Sequence, residues 1–241
     1  MFPLFSYLLP KTIKLSSFFV FLLIFFISIT KSFANISEVN KEANSKWLEW
    51  KKDATTTINY RKVANSDLIE IKAEVTLDSS LSGFLLFLLD TDNIPNWLDN
   101  AKESKILQSP NSNTHIFTTE FHSFWPIKSR EMIIKSRQWQ NEDLSVEIKI
   151  ENARDLDKKK HTVLVDVVSA KWLITPITSK EIDIEYTFIV DAKGNVPTWL
   201  VNRLALKSTW KTLQNISEQL PQSKWQSESL ANIKEMQNKI K

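Results

Sequence analysis

The sequence contains no cysteine and only two glycines among its 241 residues. Without cysteine the chain forms no disulfide and has no thiol nucleophile or lipoprotein attachment site, so an exported form must be stable through packing alone. Two glycines cannot form a Gly-rich phosphate loop. The three histidines, His115, His122 and His161, lack the spacings of metal ligands, and each is interpreted as a surface or turn residue. No metal or cofactor is predicted.

The N-terminal segment, residues 1–34, has the order of a secretory signal peptide. Basic residues precede an apolar run at Leu15–Ile29, and Ser32-Phe33-Ala34 places small residues before Asn35. The uninterrupted apolar part is shorter than the roughly 20 residues that span a bilayer. We therefore expect cleavage before Asn35 and export to the periplasm of a Gram-negative bacterium. The long stretch before the apolar run leaves open an uncleaved anchor in the inner membrane.

The charge of the chain becomes balanced once this segment is removed. Residues 1–34 hold three lysines and no acid, so 28 of the 31 basic residues remain, equal to the 28 acidic residues. Binding of nucleic acid would need a basic excess gathered on one face. The balance therefore predicts a protein that does not bind nucleic acid, and we expect a monomer.

Residues 35–220 are predicted to form one domain, followed by a polar surface tail at residues 221–241. Hydrophobic periodicity and turn residues predict mostly strands between an early pair of short helices and one long C-terminal helix. The predicted helices are Asn35–Lys52, Ser80–Leu89, a short one around Pro95–Ala101, and Pro197–Leu220. The predicted strands are Thr55–Arg61, Asp67–Leu77, Lys105–Gln108, Thr114–Phe121, Arg130–Gln140, Leu144–Ile150, Thr162–Ile174 and Ile182–Val190.

The long C-terminal helix carries a continuous apolar stripe. Its leading residues are seven apart, with three more on the same side: Trp199, Leu206, Leu213 and Leu220, then Asn202, Trp210 and Ser217. Such a stripe needs a long partner surface, which one antiparallel sheet curling around the helix would supply. An amide at Asn202 on this stripe needs a hydrogen-bond partner from backbone, water or a lipid head group. The expected fold class is α+β.

The order of these elements and four short motifs resemble the START family of StAR-related lipid-transfer domains. The motifs are Trp97–Gln108, Trp125-Pro126 followed by Arg130-Glu131, Trp172–Pro176, and Gly194–Asn202. The second is similar to the family's "WP…RD" signature, with Glu131 in place of Asp. The resemblance covers about Glu42 to Leu220 and implies the helix-grip fold, a curved antiparallel sheet wrapped around a long C-terminal α-helix.

The resemblance also implies a tunnel between the sheet and the last helix that holds one lipid or other hydrophobic molecule without chemistry. Lipid exchange would involve transient contact with a membrane. The loop at Phe124–Ile127 would close the tunnel mouth, which explains why a connection between strands carries large apolar side chains. The predicted ligand contacts are Phe124, Trp125, Ile127, Glu120, Arg137, Trp172, Asn202, Leu206, Trp210 and Leu213.

Glu120 permits two interpretations, because strand alternation alone does not say which face points inward. Paired with Arg137 or Lys135 inside the cavity, it could anchor a lipid hydroxyl. On the solvent side, the same residues would form an ordinary cross-strand pair. Glu120 with Arg137 or His115 is also the acid–base set that a helix-grip cyclase or hydrolase would require. A membrane-tethered lipid sensor is the third alternative, if the N-terminal segment stays uncleaved.

Arg130 and Glu131 also permit two interpretations. The adjacent charges favour an ion pair that fixes the start of a strand. In the alternative, Arg130 and Lys128 contact lipid phosphate at the tunnel mouth.

Overall fold

The computed structural model describes residues 46–123, 127–156 and 159–237. The predicted signal peptide and the residues Phe124, Trp125 and Pro126 lie outside these ranges. Ten strands are present: β1 Leu48–Lys52, β2 Thr56–Lys62, β3 Ile69–Leu77, β4 Ala101–Asn111, β5 Thr114–Phe121, β6 Arg130–Gln140, β7 Val146–Asn152, β8 Val163–Leu164, β9 Asp166–Thr178 and β10 Glu181–Asp191. The helices are α1 Leu81–Leu89, α2 Ile94–Trp97 and α3 Thr198–Gln219, followed by the 3-10 turns η1 Leu220–Gln222 and η2 Lys224–Ser227.

Nine of the strands form one antiparallel sheet in the order β1-β2-β3-β10-β9-β7-β6-β5-β4, and the short β8 pairs with β6 in parallel. The sheet curves around α3, so the predicted α+β helix-grip architecture is confirmed. Strand β3 shows how the sequence selects the inner face. Ile71, Ala73, Val75 and Leu77 are buried, while the charged residues between them face outward.

The first strand corrects the sequence prediction. Residues 48–52 were predicted as part of a helix, but they pair with β2. The two tryptophans that suggested one helical face lie on opposite faces of the sheet. Trp47 stacks on the Arg61 guanidinium at 4.4 Å, whereas Trp50 contacts Trp210 of α3 with ring centroids 6.5 Å apart. A spacing of three fits one helix face or two strand faces, and here each side chain has its own partner.

The helix α1 is buried on nearly all sides, as its composition predicts. Leu81, Phe84 and Phe87 have no exposed surface. The helix begins after Ser80, whose hydroxyl accepts a hydrogen bond from the Gly83 amide at 3.0 Å.

The long helix α3 begins after a tight turn at the end of β10. Gly194 has φ +75°, a conformation that glycine adopts without steric cost, and Pro197 is the N-cap residue. The predicted stripe is confirmed at Leu206, Leu213 and Leu220, which are buried. It fails at Trp199 in the first turn of α3, which is 66% exposed. Among the described residues, no helix is both long and apolar enough to cross a bilayer.

The residues after α3 do not form the predicted surface tail. Trp225, Leu230 and Ile233 pack against the core. The Glu235 carboxylate accepts hydrogen bonds from the Leu81 and Ser82 amides at 3.1 and 2.7 Å, so it caps the N-terminus of α1. The polar composition of the segment does not reveal this packing, because a few apolar side chains and one carboxylate suffice to attach an otherwise polar segment to the domain.

A cluster of charges on the outer face of the sheet fixes the loop between β7 and β8. Glu120 and Glu131 lie directly opposite each other on β5 and β6, a like-charge pair that is unfavourable by itself. Glu120 is neutralised by Lys102 at 2.7 Å and Lys159 at 2.6 Å, and Lys159 also contacts Glu103. Glu131 accepts hydrogen bonds from the Thr118 and Thr162 hydroxyls and from the Lys159 amide. The loop therefore supplies a counter-charge that β5 and β6 need.

This cluster makes stability depend on pH. Hydrogen bonds from Lys102 and Lys159 lower the pKa of Glu120 from 4.5 to about 2. A carboxylate with a depressed folded pKa stabilises the fold above its unfolded pKa, and this contribution is lost as the pH falls from about 4.5 to about 2. We expect the stability difference between wild type and Glu120→Gln to shrink over that window in urea denaturation. The matched control is Glu142→Gln at an exposed carboxylate; a similar trend in that control would contradict the assignment.

Candidate functional site

A cavity of about 750 Å³ lies between the inner face of the sheet and α3. Its volume is within the range of roughly 300–1,000 Å³ that small-molecule sites occupy. Helix α3 packs against β2 and β3 on one side. Strands β5, β6, β7, β9 and β10 and the helices α1 and α2 contribute side chains to the remaining walls. The helix therefore covers only part of the concave face, and the rest of that face encloses the cavity.

The floor of the cavity is an aromatic row on β9 and β10. The ring of Tyr186 stacks on Trp172 with centroids 4.1 Å apart and on Phe188 at 4.7 Å. Phe84 of α1 closes over Trp172 at 5.8 Å. Cross-strand pairing of Trp172 with Tyr186 fixes this arrangement. Rings held this way give the cavity a rigid apolar surface.

The Tyr186 hydroxyl is a polar group in this apolar floor. Burial raises the pKa of the phenol, so it stays protonated at physiological pH. Among the described residues it has no hydrogen-bond partner, and its side chain lines the cavity. A neutral hydroxyl in this position can donate to or accept from an oxygen of a bound molecule.

Helix α3 presents two different faces. Val201, Leu204, Ala205 and Ser208, spaced by three and four residues, line the cavity together with Thr212. Leu206 and Ile216 are turned into the packed core. The sequence prediction named Leu206 from the second set and none of the first. The spacing of Val201, Leu204, Ala205 and Ser208 is the signal that could have found it.

Arg130 lies on the cavity face of β6, and Glu131 lies on the outer face. The predicted ion pair between them is therefore wrong, because neighbouring residues of a strand point to opposite sides. The Arg130 guanidinium donates to the carbonyl of Lys128 at 2.8 Å and to the carbonyls of Ala192 and Lys193 at 3.1 and 3.2 Å. It thereby joins the loop before β6 to the turn before α3. Burial lowers the pKa of the Arg130 guanidinium below its usual range.

The proposed partnership of Glu120 with Arg137 in the cavity is also wrong. On β5 the cavity is lined by His115, Phe117, Thr119 and Phe121, so Glu120 points outward. Arg137 is exposed and lies near the Trp139 ring, and it is opposite Thr114 rather than Glu120 in the strand pairing. Both residues lie on the outer face, but the ordinary cross-strand pair between them is not formed either, because Glu120 pairs with Lys102 and Lys159.

The remaining predicted contacts divide into three groups. Ile127, Trp172 and Leu213 line the cavity. Asn202, Leu206 and Trp210 lie elsewhere: Asn202 donates to the Asp67 carbonyl at 2.9 Å, Leu206 is in the core, and Trp210 packs on Trp50 of β1. Phe124 and Trp125 fall outside the described residues. Contact between any of these side chains and a ligand stays a prediction.

The histidines are not part of a metal-binding group in the described ranges. The His115 ring lies within hydrogen-bond distance of the Ser109 hydroxyl and the Ser112 carbonyl, so it supports the β4–β5 hairpin. His115 also lines the cavity. Across the described parts of the chain, no group of three or more His, Asp or Glu side chains is arranged to hold a metal ion.

Comparisons with known proteins agree with this architecture. The STAR-related lipid transfer protein of Xanthomonas axonopodis superposes with a TM-score of 0.63 at 21% identity, covering 72% of this chain and 98% of that fragment. Human StAR-related lipid transfer protein 5 gives a TM-score of 0.63 at 14% identity, covering 81% and 96%. No curated protein matches the sequence significantly. The START domain model matches residues 31–226, and the chain therefore belongs to the START family.

Proposed function

We propose that the protein binds one lipid, or another apolar molecule of similar size, in the cavity between the sheet and α3, and that it does so without catalysis. The observation that carries the proposal is the large apolar cavity itself. Membership of the START family supports it. So do the relatives from Xanthomonas axonopodis and human, whose names describe lipid transfer.

Burial of apolar surface supplies the binding energy. Each methylene removed from water contributes about 0.8 kcal/mol, so an acyl chain can be held without a specific polar contact. The rings of Trp172, Tyr186 and Phe188 stack on one another, so part of the apolar contact surface is already ordered before a ligand binds. Little ordering of the protein then opposes binding. Entry and exit require a local opening near Ile127 and α3, during transient contact with a membrane.

Several observations favour binding over catalysis. The acid–base set suggested by the sequence needs the Glu120 carboxylate inside the cavity, and that carboxylate points outward into an ion-pair cluster. Burial raises the pKa of Tyr186, so the phenol stays protonated near neutral pH and is not available as a general base. The two ring nitrogens of His115 lie within hydrogen-bond distance of the Ser109 hydroxyl and the Ser112 carbonyl.

A substitution that fills the cavity tests the function. We expect Ala205→Trp, on the cavity face of α3, to reduce uptake of a fluorescent phospholipid or fatty acid from donor liposomes at least tenfold. The matched control is Arg203→Trp, which adds the same ring on the exposed face of the same helix and leaves uptake unchanged. Circular dichroism checks that both variants fold.

Equal uptake by Ala205→Trp and the wild type would contradict binding in this cavity. Lipid recovered chemically unchanged from the wild-type protein supports a carrier. Conversion of the lipid would instead identify an enzyme.

We further propose that residues 1–34 direct export and are removed, which leaves a periplasmic protein. The order of basic, apolar and small residues supports this. N-terminal sequencing of the protein from cells is expected to begin at Asn35. A chain that retains the apolar segment would instead be a membrane-tethered lipid sensor.

A further inference from the structure

Arg130 is a buried cation without an anionic partner. Arg130 is only 9% exposed. No carboxylate in the described parts of the chain lies within ion-pair distance of its guanidinium. Buried charges in proteins are normally paired, because the loss of hydration is unfavourable unless an opposite charge compensates. Arg130 therefore needs a further explanation beyond the three backbone carbonyls that it contacts.

The guanidinium has capacity for a ligand. It carries five N–H donors, and the described contacts use one on each nitrogen. One donor on each terminal nitrogen therefore remains, in a side chain that lines the cavity. Two donors on one guanidinium suit the two oxygens of a carboxylate or phosphate.

Two more cations border the same space. Lys207 and Lys211 line the cavity from α3, and both are exposed, so they mark where the cavity opens to solvent. Within the described residues neither forms an ion pair. Asp99 is the one carboxylate residue among the described side chains that line the cavity, against these two lysines and Arg130. The lining therefore has an excess of positive charge.

The strand pairing places these charges at one end of the cavity. Ala101, Phe121 and Arg130 form a row across β4, β5 and β6, next to Asn100. The Thr212 hydroxyl accepts a hydrogen bond from the Asp99 amide at 3.1 Å, which brings α3 against the start of this row. Lys211 is adjacent to Thr212. On the inner face, the pairs on either side of Trp172–Tyr186 across β9 and β10 are Ile174–Ile184 and Ala170–Phe188, and all four residues are apolar.

We propose that the ligand is an amphiphile with an anionic oxyacid head group, a carboxylate or a phosphate. The head group binds between Arg130 and the lysines Lys207 and Lys211, and the apolar part lies over Trp172 and Tyr186. This rests on the proposed function, since it assigns the ligand class of the same cavity. The head group supplies the counter-charge that the protein does not provide to Arg130.

Paired lipids that differ only in the head group test the proposal. Delipidated full-length protein is incubated with equimolar oleic acid and oleyl alcohol, and separately with dioleoyl phosphatidic acid and dioleoylglycerol, and the bound fraction is read by native mass spectrometry. We expect the anionic member to be bound about tenfold more in at least one pair, because charge-assisted hydrogen bonds are stronger than neutral ones. A preference only in the first pair identifies a carboxylate, and a preference only in the second identifies a phosphate.

Matched variants locate the preference. We expect the double variant Lys207→Gln/Lys211→Gln to reduce the preference for the anionic lipid roughly fivefold, because exposed charges contribute little each. The reduction should be smaller at high salt, since salt screens exposed charges. Arg130→Lys keeps the positive charge but loses the paired N–H donors of the guanidinium. We expect it to reduce the preference for the anionic lipid by more than the lysine double variant does. Arg203→Gln removes one positive charge from α3 outside the cavity lining and should leave the preference unchanged.

The outcomes separate the two proposals. If neither member of either pair binds, the proposed lipid-binding function fails. If charged and neutral members bind equally, lipid binding stands and the head-group assignment fails. The assignment also fails if the preference for the anionic lipid survives in both the lysine double variant and Arg130→Lys. It fails equally if Arg203→Gln abolishes that preference. A lysine double variant that changes only attachment to anionic vesicles would likewise contradict it.

Discussion

The structure depends on a mismatch between one curved sheet and the single long helix that it encloses. Strands β3, β9 and β10 present an apolar inner face, and α3 packs mainly at the β2–β3 side of the sheet. Helix α1 covers a further part and is buried on nearly all sides as a result. The stacked rings of Trp172, Tyr186 and Phe188 line the uncovered area. An apolar space of about 750 Å³ follows from this geometry.

Much of the fold was predictable because burial on one side imposes a period of two on each strand. Strands β5 and β6 begin and end where the sequence pattern indicates. Residues 48–52 were mispredicted, because the spacing of Trp47 and Trp50 fits a helix as well as two faces of a strand. The tail was mispredicted because the partners of Glu235 are about 150 residues away in the sequence.

The site was less predictable than the fold. Alternation identifies two faces of a strand without saying which is inside, so Glu120 and Arg130 were assigned to the wrong partners. Their positions depend on Lys159 and on the carbonyls of Ala192 and Lys193, which come from distant loops. Leu213 was predicted from the apolar stripe of the last helix and Trp172 from the resemblance of Trp172–Pro176 to the family motif, and both line the cavity. Tyr186 was missed because its importance comes from the cavity beside it, and a cavity leaves no pattern in the sequence.

The central claim is that the space beside α3 is a ligand site rather than a packing defect. Native mass spectrometry of the protein isolated from a bacterial host, without added lipid, tests it most directly. We predict a species heavier than the chain by the mass of one lipid, and the loss of that added mass when the protein is denatured. Protein that is consistently empty, also after incubation with liposomes, would contradict the account.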